Sequence, residues 1–183
     1  MAHEQFRDQL TLLAGSTARD PAGYLEGLSP IHADWHLESP RTYGFLLFHY
    51  RVARYFRAIV EPVLDQPIVA FTLDEFEAMG VRRFDPDLSN VDELGELVVF
   101  SRSIESWHNT AHGAIEQATG TPMMDARQNI FFRPFWQLHY FIDDRFMEVL
   151  ERYGNRAHAG QFVTNTAIAA HSEARHHGWV PRI

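Results

Sequence analysis

Cysteine is absent from this chain of 183 residues, and that absence excludes several kinds of site. Without a thiol, the chain has no disulfide, no thiolate metal ligand and no cysteine nucleophile. Apolar runs are also short, and none approaches the roughly eighteen residues that a membrane-spanning helix needs. The first residues, MAHEQFRDQL, lack the apolar core of a secretory signal. We therefore expect a soluble, cytoplasmic protein that does not enter a membrane.

Basic charge is scarce as well. The chain carries 16 Lys and Arg against 24 Asp and Glu, which gives a formal net charge of -8. The longest basic run is Arg82-Arg83, so the sequence lacks the basic face that is typical of nucleic-acid-binding proteins. Neither nucleic acid nor an anionic membrane is an expected partner, and the acidic balance chiefly favours solubility.

Histidine, by contrast, is abundant, with 11 residues. Six of them form two sets with one pattern, a pair four residues apart followed by a third histidine farther along. The sets are His32, His36 and His49, and His108, His112 and His139. Residues four apart on a helix lie on one face. Each set therefore predicts three imidazole ligands for one metal ion, and the two sets together predict a pair of metals.

The apolar pattern is helical throughout, and we find no strand pattern of any length. Predicted helices cover residues 3–13, 30–40, 42–64, 73–80, 90–118, 135–153 and 159–177, with a loop over 17–29. Thr72 to Glu75 forms a capping box before the fourth of these helices. The sequence thus predicts one all-α domain over residues 1–183. Its core would be a four-helix bundle around a dinuclear metal site, with short flanking helices and long loops.

The residue types in the two histidine sets narrow the choice of metal ion. Imidazole suits copper, zinc, nickel and iron. Neither set includes a carboxylate at the ligand spacings, which argues against magnesium, calcium and the usual carboxylate-bridged iron pair. Three nitrogens per metal leave coordination positions open, so an external ligand can bind between two metals. With copper(I), three neutral histidines make a centre that binds dioxygen as a bridging peroxide.

Two segments of the sequence resemble the type 3 copper proteins, which are the tyrosinases, catechol oxidases and hemocyanins. The stretch IHADWHLESP…FLLFHYRVARYF is similar to the first copper-site region of arthropod hemocyanins, where an HxxxH pair ends in Trp-His-Leu. The stretch WHNTAH…FWQLHYFIDDRF is similar to the second copper-site region of the whole family, where HNxxH is followed by an aromatic-rich turn and HxxxD. The likeness covers roughly residues 31–60 and 104–150.

The resemblance implies roles for named residues. It assigns the first copper ion to His32, His36 and His49 and the second to His108, His112 and His139. Asp143 matches the acid of HxxxD and would lie one turn from a ligand, where it would orient that ligand. The alternative interpretation of Asp143 is an aspartate on the solvated face of a helix. Asn109 matches a position that in tyrosinases helps to hold a water able to take a phenol's proton, and hemocyanins can also carry it.

The sequence also departs from the family. Arg133-Pro134 stands where the family usually has Asp-Pro, and Leu138 precedes His139 where many tyrosinases have a second histidine. The thioether-forming cysteine of many eukaryotic members is absent. From its length of 183 residues, we expect the chain to lack the separate domain that plugs the active site in many members of that family. An open site favours an enzyme acting on small aromatics over a pure carrier, and it leaves room for a homodimer or for a partner chain that covers the site.

The first hypothesis is therefore a copper-dependent monooxygenase or oxidase of the tyrosinase or catechol-oxidase type. Its cofactors would be two copper ions, and dioxygen would be the co-substrate. A small phenol, catechol or aminophenol would dock against aromatics such as Phe45, Phe48 or Trp136. The second hypothesis is a hemocyanin-like oxygen carrier or sensor with the same site, which turnover of a catechol would distinguish from an enzyme.

Two further hypotheses stay open. The first is a ferritin-like di-iron carboxylate oxidase, because its ExxH motif occurs twice, at Glu105 to His108 and at Glu173 to His176, and Glu61 or Glu96 could be bridging carboxylates. The second is a helical domain whose histidines are incidental. The remaining histidines near the carboxyl end are expected to be surface or loop residues: His158, His171, His176 and His177.

Overall fold

The structure, a computed structural model, describes residues 21–38, 44–84 and 94–152. These residues form five α-helices and two short 3-10 helices, and none of them lies in a β-strand. The α-helices are α1 (Pro21–Glu38), α2 (Gly44–Ile59), α3 (Leu73–Ala78), α4 (Leu94–Thr119) and α5 (Arg133–Arg152), and the 3-10 helices are Glu61–Val63 and Asn129–Phe131. The described part of the chain is therefore all-α, as the apolar pattern predicts.

Helix α1 begins earlier than predicted. The loop expected over residues 17–29 is wrong from Pro21 onwards, and Pro30 lies inside the helix instead of opening it. Proline inside a helix costs about 3 kcal/mol. Leu25 and Leu28 are fully buried on this helix, and burying one such side chain contributes roughly 1.5–3 kcal/mol. Their burial therefore offsets the cost of Pro30.

Helices α2, α4 and α5 pack against one another, and α1 contacts the second 3-10 helix. Helix α2 ends at Ile59, where Pro62 favours a 3-10 turn over further α-helix. Helix α4 runs without a break to Thr119 and ends at Gly120, whose φ of 71° is the left-handed conformation that glycine adopts readily. The predicted capping box at 90–93, the helices at 3–13 and 159–177 and the end of α5 at residue 153 lie outside the described residues.

The predicted capping box of α3 is confirmed. The Thr72 side chain accepts the Glu75 backbone N–H, and the Glu75 carboxylate accepts the Thr72 backbone N–H. Phe76 is the buried residue of this short helix, and its ring contacts Trp107 of α4 and Phe141 of α5. Helix α3 is therefore held by one aromatic anchor beside the two helices that carry the second histidine set.

An aromatic core surrounds the centre of the described structure. Phe56 of α2 stacks on Trp136 of α5 with ring centroids 3.7 Å apart, and both side chains are fully buried. No described helix combines the length and the apolar character required to cross a membrane.

Candidate metal centre

The structure brings all six predicted histidines together, from four helices. Helix α1 carries His32 and His36, and α2 carries His49. Helix α4 carries His108 and His112, and α5 carries His139. Five of them are buried, and only His36 is half-buried. Adjacent turns supply each HxxxH pair, and a neighbouring helix supplies the third imidazole of each set.

The first set forms a compact triangle. The ring centroids of His32 and His36 lie 4.6 Å apart, and His49 lies 5.7 Å from His32 and 5.5 Å from His36. One ligand nitrogen from each of the three lies within 4.8 Å of the others. These three side chains therefore satisfy the spacing that a shared metal ion requires.

The second set is arranged differently. The Nε2 atoms of His108 and His139 lie 3.1 Å apart, and with His49 they form a second group whose ligand atoms lie within 4.8 Å of one another. His49 thus belongs to both groups, although the resemblance assigns it to the first metal alone. His112 belongs to neither group, but its ring centroid lies 4.2 Å from that of His108 and 5.5 Å from that of His139.

The two sets adjoin each other. His49 stacks on His139 with centroids 4.8 Å apart, and His36 stacks on His108 at 5.9 Å. The six imidazoles therefore form one cluster, to which α1, α2, α4 and α5 contribute.

Backbone carbonyls orient four of the imidazoles through Nδ1. His32 donates to the carbonyl of Ala126 at 2.8 Å and His49 to that of Phe45 at 2.8 Å. The other two pairs, each at 2.6 Å, are His112 with the Met123 carbonyl and His139 with the Phe135 carbonyl. A carbonyl oxygen only accepts, so Nδ1 carries the proton and Nε2 keeps its lone pair. This is the arrangement in which proteins hold a histidine for a metal.

The donor set fits a metal ion. His108 Nδ1 lies 3.2 Å from the side-chain oxygen of Asn109, which leaves the His108 Nε2 lone pair facing that of His139 across 3.1 Å. Two nitrogens at 2.0–2.1 Å from one metal, with an angle of about 100° between them, are about 3.1 Å apart. The Nε2 atoms of His32 and His36 have the same 3.1 Å separation. His112 Nε2 is buried and has no hydrogen-bond partner among the described residues.

Burial keeps the imidazoles neutral. It is the largest cause that lowers the pKa of each of the six, and it lowers the pKa of His36 and of His112 to about 4. Repulsion from neighbouring imidazoles adds to the effect, as between His36 and His112. A metal binds only the unprotonated imidazole, so these side chains are ready to bind at neutral pH.

Two phenylalanines connect the sets in the same way. Phe45 and Phe135 each precede a histidine of their own helix by four residues and lie against its ring, with centroids 4.3 Å and 3.9 Å apart. Phe45 also contacts His108, and Phe135 also contacts His32. Each ring therefore packs against both histidine sets and gives the cluster an apolar neighbour. Histidine spacing alone does not predict these two rings, although the sequence shows them as a repeated FxxxH.

The two predicted catalytic residues have different surroundings. Asn109 is exposed beside His108, and its side-chain oxygen faces His108 Nδ1. Asp143 is 4% exposed, so its reading as a solvated helix aspartate is wrong. Its Oδ2 atom forms an ion pair with Arg57 Nη1 at 3.1 Å, while the Phe135 carbonyl holds His139. The Asp143 side chain therefore joins α5 to α2 through an ion pair.

Replacing Arg57 by Ala tests whether Asp143 is a structural partner. The variant leaves the buried carboxylate without this cation, and we expect a loss of about 3 kcal/mol in the free energy of unfolding, measured with urea. The value is at the low end for buried pairs because Arg57 is 38% exposed. The control, Arg145→Ala, breaks the surface pair with Glu148 and should cost less than about 1 kcal/mol. Metal content should stay unchanged, and its loss from folded protein would contradict a purely structural pairing.

The docking aromatics and the di-iron carboxylates are only partly described. Trp136 is fully buried and donates its indole N–H to the Ile130 carbonyl, so it is a core residue and not a docking surface. Phe45 is buried over the cluster, and the side chain of Phe48 lies outside the described residues. Glu105 is buried one turn before His108. The Glu61 carboxylate accepts Tyr140 O–H and Ile68 N–H, while Glu173, His176 and the side chain of Glu96 lie outside the description.

Comparisons with protein-family models, with curated proteins and with solved structures found no match to this chain. The histidine cluster is therefore the feature of the described residues that points to a function.

Proposed function

We propose that the chain is a dinuclear copper oxidoreductase that oxidises or hydroxylates small phenols, catechols or aminophenols with dioxygen. The observation that carries the proposal is the cluster of six buried imidazoles, with four Nδ1 atoms held by backbone carbonyls. We further propose that α1, α2, α4 and α5 form a four-helix bundle around it. The likeness of residues 31–60 and 104–150 to the type 3 copper proteins supports the same reading.

The ligand chemistry favours copper over metals that prefer oxygen ligands. Both groups of ligand atoms within 4.8 Å consist of histidine alone among the described residues. Magnesium, calcium and manganese prefer oxygen ligands, and a di-iron carboxylate site needs several carboxylates. Imidazole also binds zinc, so metal analysis of the protein must decide between the two. A pair of copper ions would supply the binding of dioxygen and the redox chemistry.

The protein residues would supply geometry and access. The carbonyls of Phe45 and Phe135 fix the direction of His49 and His139, while apolar rings cover the cluster. His36 is the half-buried member, and Asn109 is exposed beside His108. We propose that the substrate approaches from the side of these two residues, where Asn109 would hold a water able to accept the phenol proton.

The test is metal content together with the near-ultraviolet spectrum. The full chain is loaded anaerobically with copper(I), freed of excess metal, and then exposed to air. We expect two copper ions per chain and a strong new band that appears only with oxygen. The metal content of the protein as purified is measured alongside. Iron as the retained metal would refute the proposal and favour the di-iron reading at Glu105 and Glu173, and a fully copper-loaded protein without an oxygen-dependent band would refute it as well.

Turnover then separates an enzyme from a carrier. Catechol and monophenol assays on the loaded protein should show sustained product formation. A reversible oxygen band without turnover would support the second candidate, a hemocyanin-like carrier or sensor. The same cluster supports that candidate, because a site that binds oxygen need not oxidise an aromatic.

A further inference from the structure

The loop between α4 and α5, residues 120–132, contacts one histidine from each set. Its Met123 carbonyl accepts His112 Nδ1–H at 2.6 Å, and its Ala126 carbonyl accepts His32 Nδ1–H at 2.8 Å. His32 belongs to α1 and His112 to α4, so a single short segment orients one imidazole of each set. We call residues 120–132 the bridging loop.

The bridging loop is braced at both ends and within. Its Met124 N–H donates to the Glu116 carboxylate of α4 at 2.7 Å, and its Ile130 carbonyl accepts the indole N–H of Trp136 of α5 at 2.7 Å. Between these points the Asp125 side chain accepts the Arg127 N–H at 2.9 Å and the Gln128 side-chain N–H at 2.6 Å. These hydrogen bonds tie the segment that carries the Met123 and Ala126 carbonyls to α4, to α5 and to itself.

Asn129 holds the first of these carbonyls. Its side chain is 2% exposed, and its Nδ2 atom donates to the Met123 oxygen at 3.0 Å. The same oxygen accepts His112 Nδ1–H, and a carbonyl oxygen has two lone pairs for two donors. Because Met123 O can only accept, the side-chain atom of Asn129 that faces it is the nitrogen. Asn129 thus fixes the acceptor that fixes His112.

We infer that the bridging loop couples the two histidine sets and that Asn129 is a positioning residue for His112, acting through the Met123 carbonyl. The inference rests on the proposed function and adds to it a cooperative loading of the two ions. A metal bound to one set would restrict the imidazole that the loop holds there, and the hydrogen bonds from Nδ1 through the braced loop would pass this restriction to the imidazole of the other set. The loop would then lose less freedom when the other set binds its metal, so the second metal would bind more tightly. Such coupling is reciprocal and typically amounts to about 5- to 150-fold in affinity.

The experiment is an anaerobic titration of the full metal-free chain with copper(I), in competition with a coloured copper(I) chelator. In the wild type the second ion should bind at least about 5-fold more tightly than the first, after statistical correction. Asn129→Leu should bring this ratio close to one. Leucine is a mild replacement, because Asn129 Oδ1 is buried without a hydrogen-bond partner among the described residues. The matched control is Arg127→Ala in the same loop. The Arg127 side chain is exposed, and only its backbone N–H and carbonyl take part in the described hydrogen bonds of the loop, so this variant should retain the wild-type ratio.

The ratio of the two affinities separates positioning from stability, since a merely destabilised protein would weaken both steps equally. Should Asn129→Leu not fold, Ser29→Ala tests the other arm. Ser29 is the α1 residue whose hydroxyl donates to the Arg127 carbonyl of the loop at 2.6 Å, and its removal should lower the ratio at least about twofold. Two ions bound independently by the wild type, or a wild-type ratio in folded Asn129→Leu, would overturn the inference while leaving the dinuclear site intact. A wild type that binds fewer than two ions would instead overturn the proposed function.

Discussion

Replacing His108 by Ala is expected to lower copper from two ions per chain to one or fewer and to abolish the oxygen-dependent band. His108 lies at the centre of the cluster. Its Nε2 atom is 3.1 Å from that of His139, and its ring contacts those of His36, His49 and His112. Losing a partner that only supports a ligand costs 10- to 100-fold in metal affinity, and losing the ligand itself should cost more. The band requires both ions, so it should vanish even where one ion remains.

The matched control is Thr110→Ala on the same helix. Thr110 is exposed, and its hydroxyl donates to the Ser106 carbonyl one turn earlier, so the change removes a side chain of α4 without touching the cluster. Copper content and the band should then equal those of the wild type. Metal analysis and the spectrum of air-exposed protein measure both. Two ions and a full band in His108→Ala would show that the ligands lie elsewhere in the chain.

The helices and the convergence of the six histidines could be predicted from the sequence because both depend on local periodicity. An HxxxH pair places its imidazoles on one helix face wherever the helix goes. His49 and His139 each lie on an apolar stripe, and such a stripe faces the core of an amphipathic helix. Burial of those stripes is enough to bring the rings together. How the imidazoles divide between two metals depends on the packing of the helices. The spacing of histidines in the sequence therefore could not predict that His49 belongs to both groups.

The start of α1 could not be predicted because tertiary burial overrides a local signal. Pro30 and the glycines before it favour a loop, whereas Leu25 and Leu28 contribute their free energy only after α1 meets the rest of the core. The Arg57–Asp143 pair was missed for a similar reason, since the two residues are distant in sequence and meet only when α2 packs on α5.

The acceptors that orient the imidazoles escaped prediction because they are backbone atoms. Every residue has a carbonyl, so the composition of the loop gives no indication that Met123 and Ala126 hold His112 and His32. The two carbonyls within helices are different. Phe45 and Phe135 each lie one helical turn before a ligand, and the repeated FxxxH could have identified both.

The metal-free protein is expected to unfold in acid between about pH 5 and 6, and metal should protect it. In the unfolded chain a histidine has its ordinary pKa of 6.5, whereas burial lowers the pKa of all six in the folded protein. Above pH 6.5 both states are neutral and these groups do not affect stability. Below it the unfolded chain binds protons that the folded chain excludes, so the free energy of unfolding falls as the pH falls.

The size of the effect follows from the same linkage. At pH 5.5 each histidine stabilises the unfolded chain by about 1.4 kcal/mol, while a folded-state pKa of about 4 leaves the buried imidazole almost unprotonated. Six such groups give about 8 kcal/mol, which is comparable with the 5–15 kcal/mol that stabilises a typical domain. Acid unfolding should therefore be steep and should be complete well before the carboxylates titrate.

Circular dichroism of chelator-treated protein as a function of pH measures the transition, and the zinc-loaded protein is the control. Zinc is redox-silent and binds only neutral imidazole, so loading should move the midpoint to lower pH. The variant His36→Leu removes one of the six protonation steps at the half-buried position, and it should lower the acid midpoint of metal-free protein by about 0.2 pH unit. Metal-free wild-type protein that stays folded at pH 4.5 would contradict the prediction. At that pH, protonation of the unfolded chain should outweigh the stability of a folded chain that buries six neutral imidazoles.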